Sequence, residues 1–155
     1  MRTFSSAQQW LDAQGETLGS SDWTEITQEM VNTFADATGD HQWIHVDVER
    51  AKAESPFGGP IAHGFMTLSL AVPLATATYT ISDAVMGVNY GLNKVRFPAP
   101  VPVGSRVRAT TTLKSVEEVA GGVQNTIAVV IEREGADKPV CIAEWVTRAY
   151  GAPAS

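Results

Sequence analysis

The sequence predicts an α+β fold, with helices first and an antiparallel sheet after them. Three observations carry this expectation. In the first half Met30, Val31, Phe34, Ala35 and Thr38 recur at helical spacing. From Val85 onward the chain changes to β-branched and aromatic runs separated by Gly and Pro turns. The two patterns occupy separate blocks, which is the order of an α+β domain and not of alternating βαβ units. A chain of 155 residues suits a single domain with its own core.

Taken in order, residues 7–13 form a short amphipathic helix with Trp10 and Leu11 inward, followed by a loop at Gly15. The simplest role for this segment is a packing arm. Trp23 and Ile26 among polar residues fit a short edge strand within 19–26. Thr27 is placed to cap the next helix, with Glu29 in its first turn complementing the helix dipole. Gly39 stands where that helix would end in a left-handed residue, so Asp40 follows on a tight turn. Asp47 reads as another N-cap, for a helix over 48–54 that stops before Pro56. The run from Gly64 to Val72 is apolar on nearly all sides, which predicts a helix in the middle of the domain, shortened or kinked by Pro73. Strands are expected over 85–90, 92–97, 106–114, 123–132 and 140–150, with turns at Gly121-Gly122 and at 135–139. In the last strand Cys141, Ala143, Trp145 and Thr147 share one face, and Glu144 and Arg148 the other. Pro98, Pro100 and Pro102 make an extended connection.

Composition excludes several classes. A formal net charge of −6 does not suit a general nucleic-acid binder, which needs basic surface against phosphates. The first residues carry no apolar signal-like stretch, and no apolar run approaches the roughly 18 residues of a membrane span. The single cysteine, Cys141, cannot form an intrachain disulfide, so a cytoplasmic location is expected, with no membrane partner. The charge is unevenly spread. Between Asp83 and Glu117 there is no acid, yet Lys94, Arg96, Arg106, Arg108 and Lys114 fall there. That stretch fits either an anionic ligand group or the solvated face of strands.

The chemistry-bearing residues lie close together. Asp40 and His45 are separated by a turn containing Gln42, close enough to converge on one water. A carboxylate beside an imidazole can accept and return a proton near neutral pH. The same spacing also fits a turn-capping Asp and a satisfied core histidine. Gly64 opens the apolar helix, so its N–H lacks an intrahelical acceptor and could receive the oxygen of a thioester carbonyl becoming an enolate. A glycine needed only for helix–sheet packing fits equally well. A metal site is not expected: His41 and His45 are four apart, but Gln42-Trp43-Ile44 between them lacks the zincin glutamate, and they follow a helix-ending glycine. Ser69 has no nucleophile-elbow motif around it, and no phosphate-binding glycine fingerprint is present.

Three blocks together resemble a known family. Gly39-Asp40-His41-Gln42-Trp43-Ile44-His45, then Pro60-Ile61-Ala62-His63-Gly64, then the stretch from Asn89 through Phe97 to Ser105 are similar to the MaoC-like (R)-specific enoyl-CoA hydratases, or 3-hydroxyacyl-thioester dehydratases. The likeness runs from about Asp22 to Tyr150 and is close to the short, single-domain mycobacterial type. It implies one hot-dog domain over 1–155, with an antiparallel sheet wrapped around a long central helix starting near Gly64. It also implies a homodimer with each tunnel at the subunit interface. By position Asp40, His45 and Gly64 match the catalytic residues, and Gln42, His63, Asn89, Asn93, Lys94 and Arg96 are assigned to substrate contact. The substrate implied is an acyl-CoA or acyl-carrier thioester, with no cofactor beyond the coenzyme A of the substrate itself. Where the family has Asn-Pro this chain has Gln42-Trp43, which bears on pocket shape, as does Pro73. A thioesterase on the same fold, or a non-catalytic thioester-binding subunit, are the rival readings.

Overall fold

The computed structural model describes residues 1–82 and 84–151; Asp83, which bounds the acid-free stretch, and residues 152–155 lie outside them. The main helices precede the long strands, as predicted, with short elements at residues 2–4, 43–46 and 79–81 beyond those the sequence predicts. The chain runs β1 (Arg2–Phe4), α1 (Ala7–Asp12), β2 (Thr17–Ser20), β3 (Thr24–Glu25), α2 (Gln28–Thr38), α3 (Trp43–Val46), α4 (Val48–Glu54), α5 (Gly64–Ser69) and α6 (Ala71–Thr76). It then continues through β4 (Tyr79–Ile81), β5 (Met86–Arg96), β6 (Arg106–Val119), β7 (Gly122–Arg133) and β8 (Cys141–Tyr150). Five strands pair in the order β2-β6-β7-β8-β5, with β3 also on β6, and every pairing in this sheet is antiparallel.

The signals that delimit helices act as their chemistry dictates. The Thr27 hydroxyl accepts from the Met30 N–H, and Gly39 takes φ 80°, a left-handed conformation that a side chain would resist. The Asp47 carboxylate accepts from the Arg50 N–H at 3.0 Å. The central helix is interrupted at Leu70, three residues before Pro73. Proline has no N–H for the Ser69 carbonyl, while the bonds from Leu70 to Met66 and from Leu74 to Leu70 survive on either side. Its inward face, Met66, Thr67, Ala71, Leu74 and Ala75, packs against the sheet with Leu113, Ile127, Ile131 and Val129 in the same core. The helix expected in the middle of the domain is covered on one side only: Phe65 is 70% exposed, and Ser69, Pro73 and Thr76 also face outward.

Other differences have local causes. The two strands expected at 85–97 are one strand, because Gly91 is absorbed in a register shift of the β5–β8 ladder and not in a turn. β6 runs past Lys114 to Val119 through a register shift of the β6–β7 ladder between Leu113 and Ser115. The β1–β4 pair is parallel and joins residues far apart in sequence, so no local pattern announces it. The N-terminal arm is packing, as expected. Trp10 is 1% exposed, its Nε1–H donates to Asn125 Oδ1 at 2.8 Å, and its ring lies against Phe4 and Tyr79. Leu11, expected inward beside it, is only half-buried. Among the described residues no helix is long and apolar enough to cross a membrane.

Candidate active site

Three chain segments meet at the site. The first is the turn after α2, which Gly39 ends abruptly, leaving Asp40 exposed at the rim of a rigid element. Its carboxylate accepts a long bond, 3.4 Å, from the Gln42 N–H, and its own N–H reaches Thr38 Oγ1 at 3.4 Å. The second is α3, a single turn whose length leaves no periodicity to read. It places His45 inward, 6% exposed. The third is the strand-like segment 60–63, clamped by three backbone bonds: Ile61 N–H to Ile44 O at 3.0 Å, Ala62 N–H to Val101 O at 2.8 Å, and Val103 N–H to Pro60 O at 3.0 Å.

That clamp sets the state of His45. Its Nδ1 lies 2.6 Å from the Ile61 carbonyl, which can only accept, so Nδ1 carries the proton and Nε2 is left as the basic lone pair. Burial pushes the His45 pKa below its ordinary value. The neighbouring His63 ring adds to this, while the Ile61 carbonyl and Asp40 oppose it. Asp40, His45 and His63 each bring a donor-type atom to within 4.8 Å of the other two. The His45 and His63 rings stack with centroids 3.8 Å apart and 27° between planes. Imidazole nitrogens carry their lone pairs in the ring plane, so these stacked rings do not aim them at one point.

Gly64 is the first residue of α5, so its N–H has no acceptor inside the helix, and no side chain caps that end. A Cβ there would stand 3.2 Å from the Phe97 ring, a tight contact that would require that ring to shift by a few tenths of an ångström. Gly64 lies in the wall of a cavity of about 320 Å³ shared with Ile61, Thr67 and Phe97. Two further cavities, of about 380 and 260 Å³, run along α5–α6 and β5 and share Val72, Asn89 and Trp145.

The remaining predicted contacts are placed as follows. Gln42 is exposed at the start of α3, beside Asp40. Asn89 lines the two groove cavities, and Asn93, Lys94 and Arg96 lie further along the exposed β5 strand. Among the described residues none of these four is hydrogen-bonded or ion-paired to Asp40, His45 or His63. Of the cationic stretch, Arg106 pairs with Glu134, Arg108 with Glu132, and Lys114 with Glu144, the behaviour of a strand face. Lys94 and Arg96 make no such pair among the described residues, and Arg96 donates to the neighbouring Val95 carbonyl. His41 turns away from the dyad to Asp36 Oδ1 at 2.9 Å, and Trp43 lies under the Arg50 guanidinium. Two contributors carry no residue-type signal: the Ile61 carbonyl, and Gln28, whose Nε2–H holds the His45 carbonyl at 2.7 Å.

Comparison with known proteins places this site in context. Residues 9–135 match the family model described as the MaoC like domain. The 3-hydroxyacyl-thioester dehydratase Z of Mycobacterium tuberculosis is 60% identical over 149 residues, covering 96% of this chain and 98% of that protein. Among solved structures, the monoamine oxidase regulatory protein of Archaeoglobus superposes with a TM-score of 0.78 at 24% identity, covering 98% of both chains. The (R)-hydratase of A. caviae gives 0.70 at 22%, covering 86% of this chain and 93% of that one. At such identities the structural likeness speaks for the hot-dog fold alone. Sequence match and fold agree: this chain belongs to the MaoC-like domain family.

Proposed function

We propose that this protein reversibly hydrates trans-2-enoyl thioesters to (R)-3-hydroxyacyl thioesters. It is an enzyme of the hydratase–dehydratase class, and its close mycobacterial relative is named for the dehydration of 3-hydroxyacyl thioesters. The observation that carries the finer reading is the state of His45. Its Nδ1–H is fixed on Ile61, its Nε2 is bare, and the Asp40 carboxylate is within reach. In this scheme Asp40 and His45 hold one water. His45 Nε2 takes its proton as the oxygen attacks C3, and the electron pair moves through C2 to the thioester oxygen. The Gly64 N–H receives that oxygen as it becomes an enolate. The same dyad then returns the proton to C2, so water and proton add from one face and the product is a single enantiomer. Water supplies both added atoms, and the scheme asks for no redox partner. Coenzyme A or a carrier protein is the thioester's own handle, with Lys94 and Arg96 the cations nearest in sequence to Asn89 and Asn93.

The same reading includes a homodimer. β5 is a sheet edge, and ten of its eleven residues are exposed, among them Val88, Tyr90 and Leu92. A second copy laid along β5 would cover these side chains and the outward face of the central helix. Native mass spectrometry tests the pairing directly. For the reaction, purified protein is added to crotonyl-CoA and loss of the enoyl-thioester absorbance is followed, with chiral analysis of the product. Rapid loss giving the (R)-alcohol is expected. No loss with crotonyl-CoA or a longer enoyl-CoA would overturn the proposal, and thiol release from a saturated acyl-CoA would replace it with hydrolysis.

A further inference from the structure

His63 was assigned above to substrate contact on sequence resemblance, but its surroundings indicate a different task. It is 2% exposed and lines none of the three cavities described. Its Nε2–H donates to the main-chain carbonyl of Asp40 at 2.9 Å, across 23 residues of sequence. Its ring is stacked on His45 and backed by Phe34, 5.0 Å away between centroids. Its own carbonyl is fixed in the first turn of α5 by the Thr67 N–H, and the next residue is Gly64. Its Nδ1 is buried without a hydrogen-bond partner among the described residues. A side chain serving only to fill space would not need a buried, unpaired nitrogen; a phenylalanine would pack without one. Among the described residues, the one polar contact this ring makes is the tie to Asp40.

We propose that His63 is a positioning residue that locks the proton-handling end of the site to the oxyanion end. One ring fixes the Asp40 peptide, the plane of His45 and, through the backbone, the Gly64 N–H. Three groups from three segments are thereby held at one spacing, and it is this spacing that must match water, C3 and the thioester oxygen at once. A displacement of about 1 Å among such groups costs on the order of 10²-fold in rate. The inference rests on the hydration reading above.

Two variants separate the contributions. His63→Phe keeps a ring against His45 and Phe34 but removes the donor to Asp40. His63→Gln places an amide N–H near the Nε2 position but removes the ring. Steady-state kinetics on crotonyl-CoA, thermal melting, and NMR titration of the His45 imidazole are measured for both and for the wild type. The expected result for His63→Phe is a kcat lower by about 10²-fold with KM nearly unchanged. His63→Gln should recover about tenfold of that loss. In both variants the His45 titration should move upward, because the His63 ring that opposes its protonation is gone. A raised KM with normal kcat would make His63 a substrate contact and overturn the proposal. Lower melting temperatures with normal kcat and an unmoved His45 titration would reduce it to packing and overturn it equally. A wild type inactive on every enoyl-CoA removes the hydration reading itself. Active His63 variants beside an inactive Asp40→Asn remove only this inference.

Discussion

Asp40→Asn is the most informative single substitution, because the structure separates its chemical effect from its structural one. The carboxylate is exposed, its one hydrogen bond among the described residues, from the Gln42 N–H, is long at 3.4 Å, and an amide oxygen can accept the same bond. The tie from His63 ends on the main-chain carbonyl, which asparagine retains. Stability should therefore change by no more than about 0.5 kcal/mol, as for surface substitutions generally. In a domain of this size that is a melting shift of about 2 °C or less. The rate should behave quite differently. Asparagine can neither carry the negative charge beside His45 nor accept a proton, and a positioned acid–base group contributes about 10²–10⁴-fold. At roughly 1.4 kcal/mol per factor of ten, that is about 3–5 kcal/mol of barrier. Hydration of crotonyl-CoA is followed by absorbance, alongside melting of the same preparation. Turnover within tenfold of wild type would refute the role of Asp40, and a large fall in melting temperature would refute the claim that its contribution is chemical.

Four further expectations follow from particular side chains. Burial holds the His45 pKa below its ordinary 6.5, so kcat/KM should stay level down through pH 6.5 and fall tenfold per unit only below the depressed value; a fall beginning above 6.5 would contradict the burial argument. Because the unfolded chain binds this proton more readily, His45 adds stability that is present above pH 6.5 and lost as pH drops toward its folded pKa, while His41, raised by its bond to Asp36, has the opposite sign. NMR titration of each ring separates them where a melting curve cannot. Cys141 is fully buried and its thiol is pushed up to about 11, so a thiol reagent should modify it only on unfolding, and rapid labelling of native protein would contradict the packing of β8. Trp10→Phe strands the buried Asn125 Oδ1 and should cost about 1–3 kcal/mol in denaturant unfolding; a loss below about 0.5 kcal/mol would mean the arm is not locked by that bond.

What was legible in the sequence was chemistry that acts on near neighbours. Thr27, Gly39 and Asp47 each act within three or four residues along the chain, and each is found in the cap or turn it was expected to make. Alternation likewise places Cys141, Ala143, Trp145 and Thr147 on a buried face of β8, although Val146 between them is buried as well. What escaped depends on distant partners. The parallel β1–β4 pair joins residues more than seventy positions apart in a small sheet of its own, the inclusion of Gly91 within β5 is set by its ladder with β8, and the open outer face of the central helix depends on what packs there and not on its own apolar pattern. At the site, Asp40, His45 and Gly64 could be singled out because their side chains or lack of one bear on the chemistry. The Ile61 carbonyl could not, since every residue has a carbonyl. The contact of His63 was hidden for the same reason: its partner is the main chain of Asp40.

The position of β8 has a consequence for how the molecule is made. It is the last strand of the chain among the described residues, yet it lies between β7 and β5, and β5 has no other partner in the sheet. During synthesis β5 emerges first, and the whole β6–β7 hairpin follows before the strand that will hold β5 exists. At about 5–20 residues per second, that leaves β5, with Val88, Tyr90 and Leu92 along it, unpaired on both edges for a period on the order of seconds. A ribosome stalled before Cys141 would carry β7 and β5 with no strand between them to join the two.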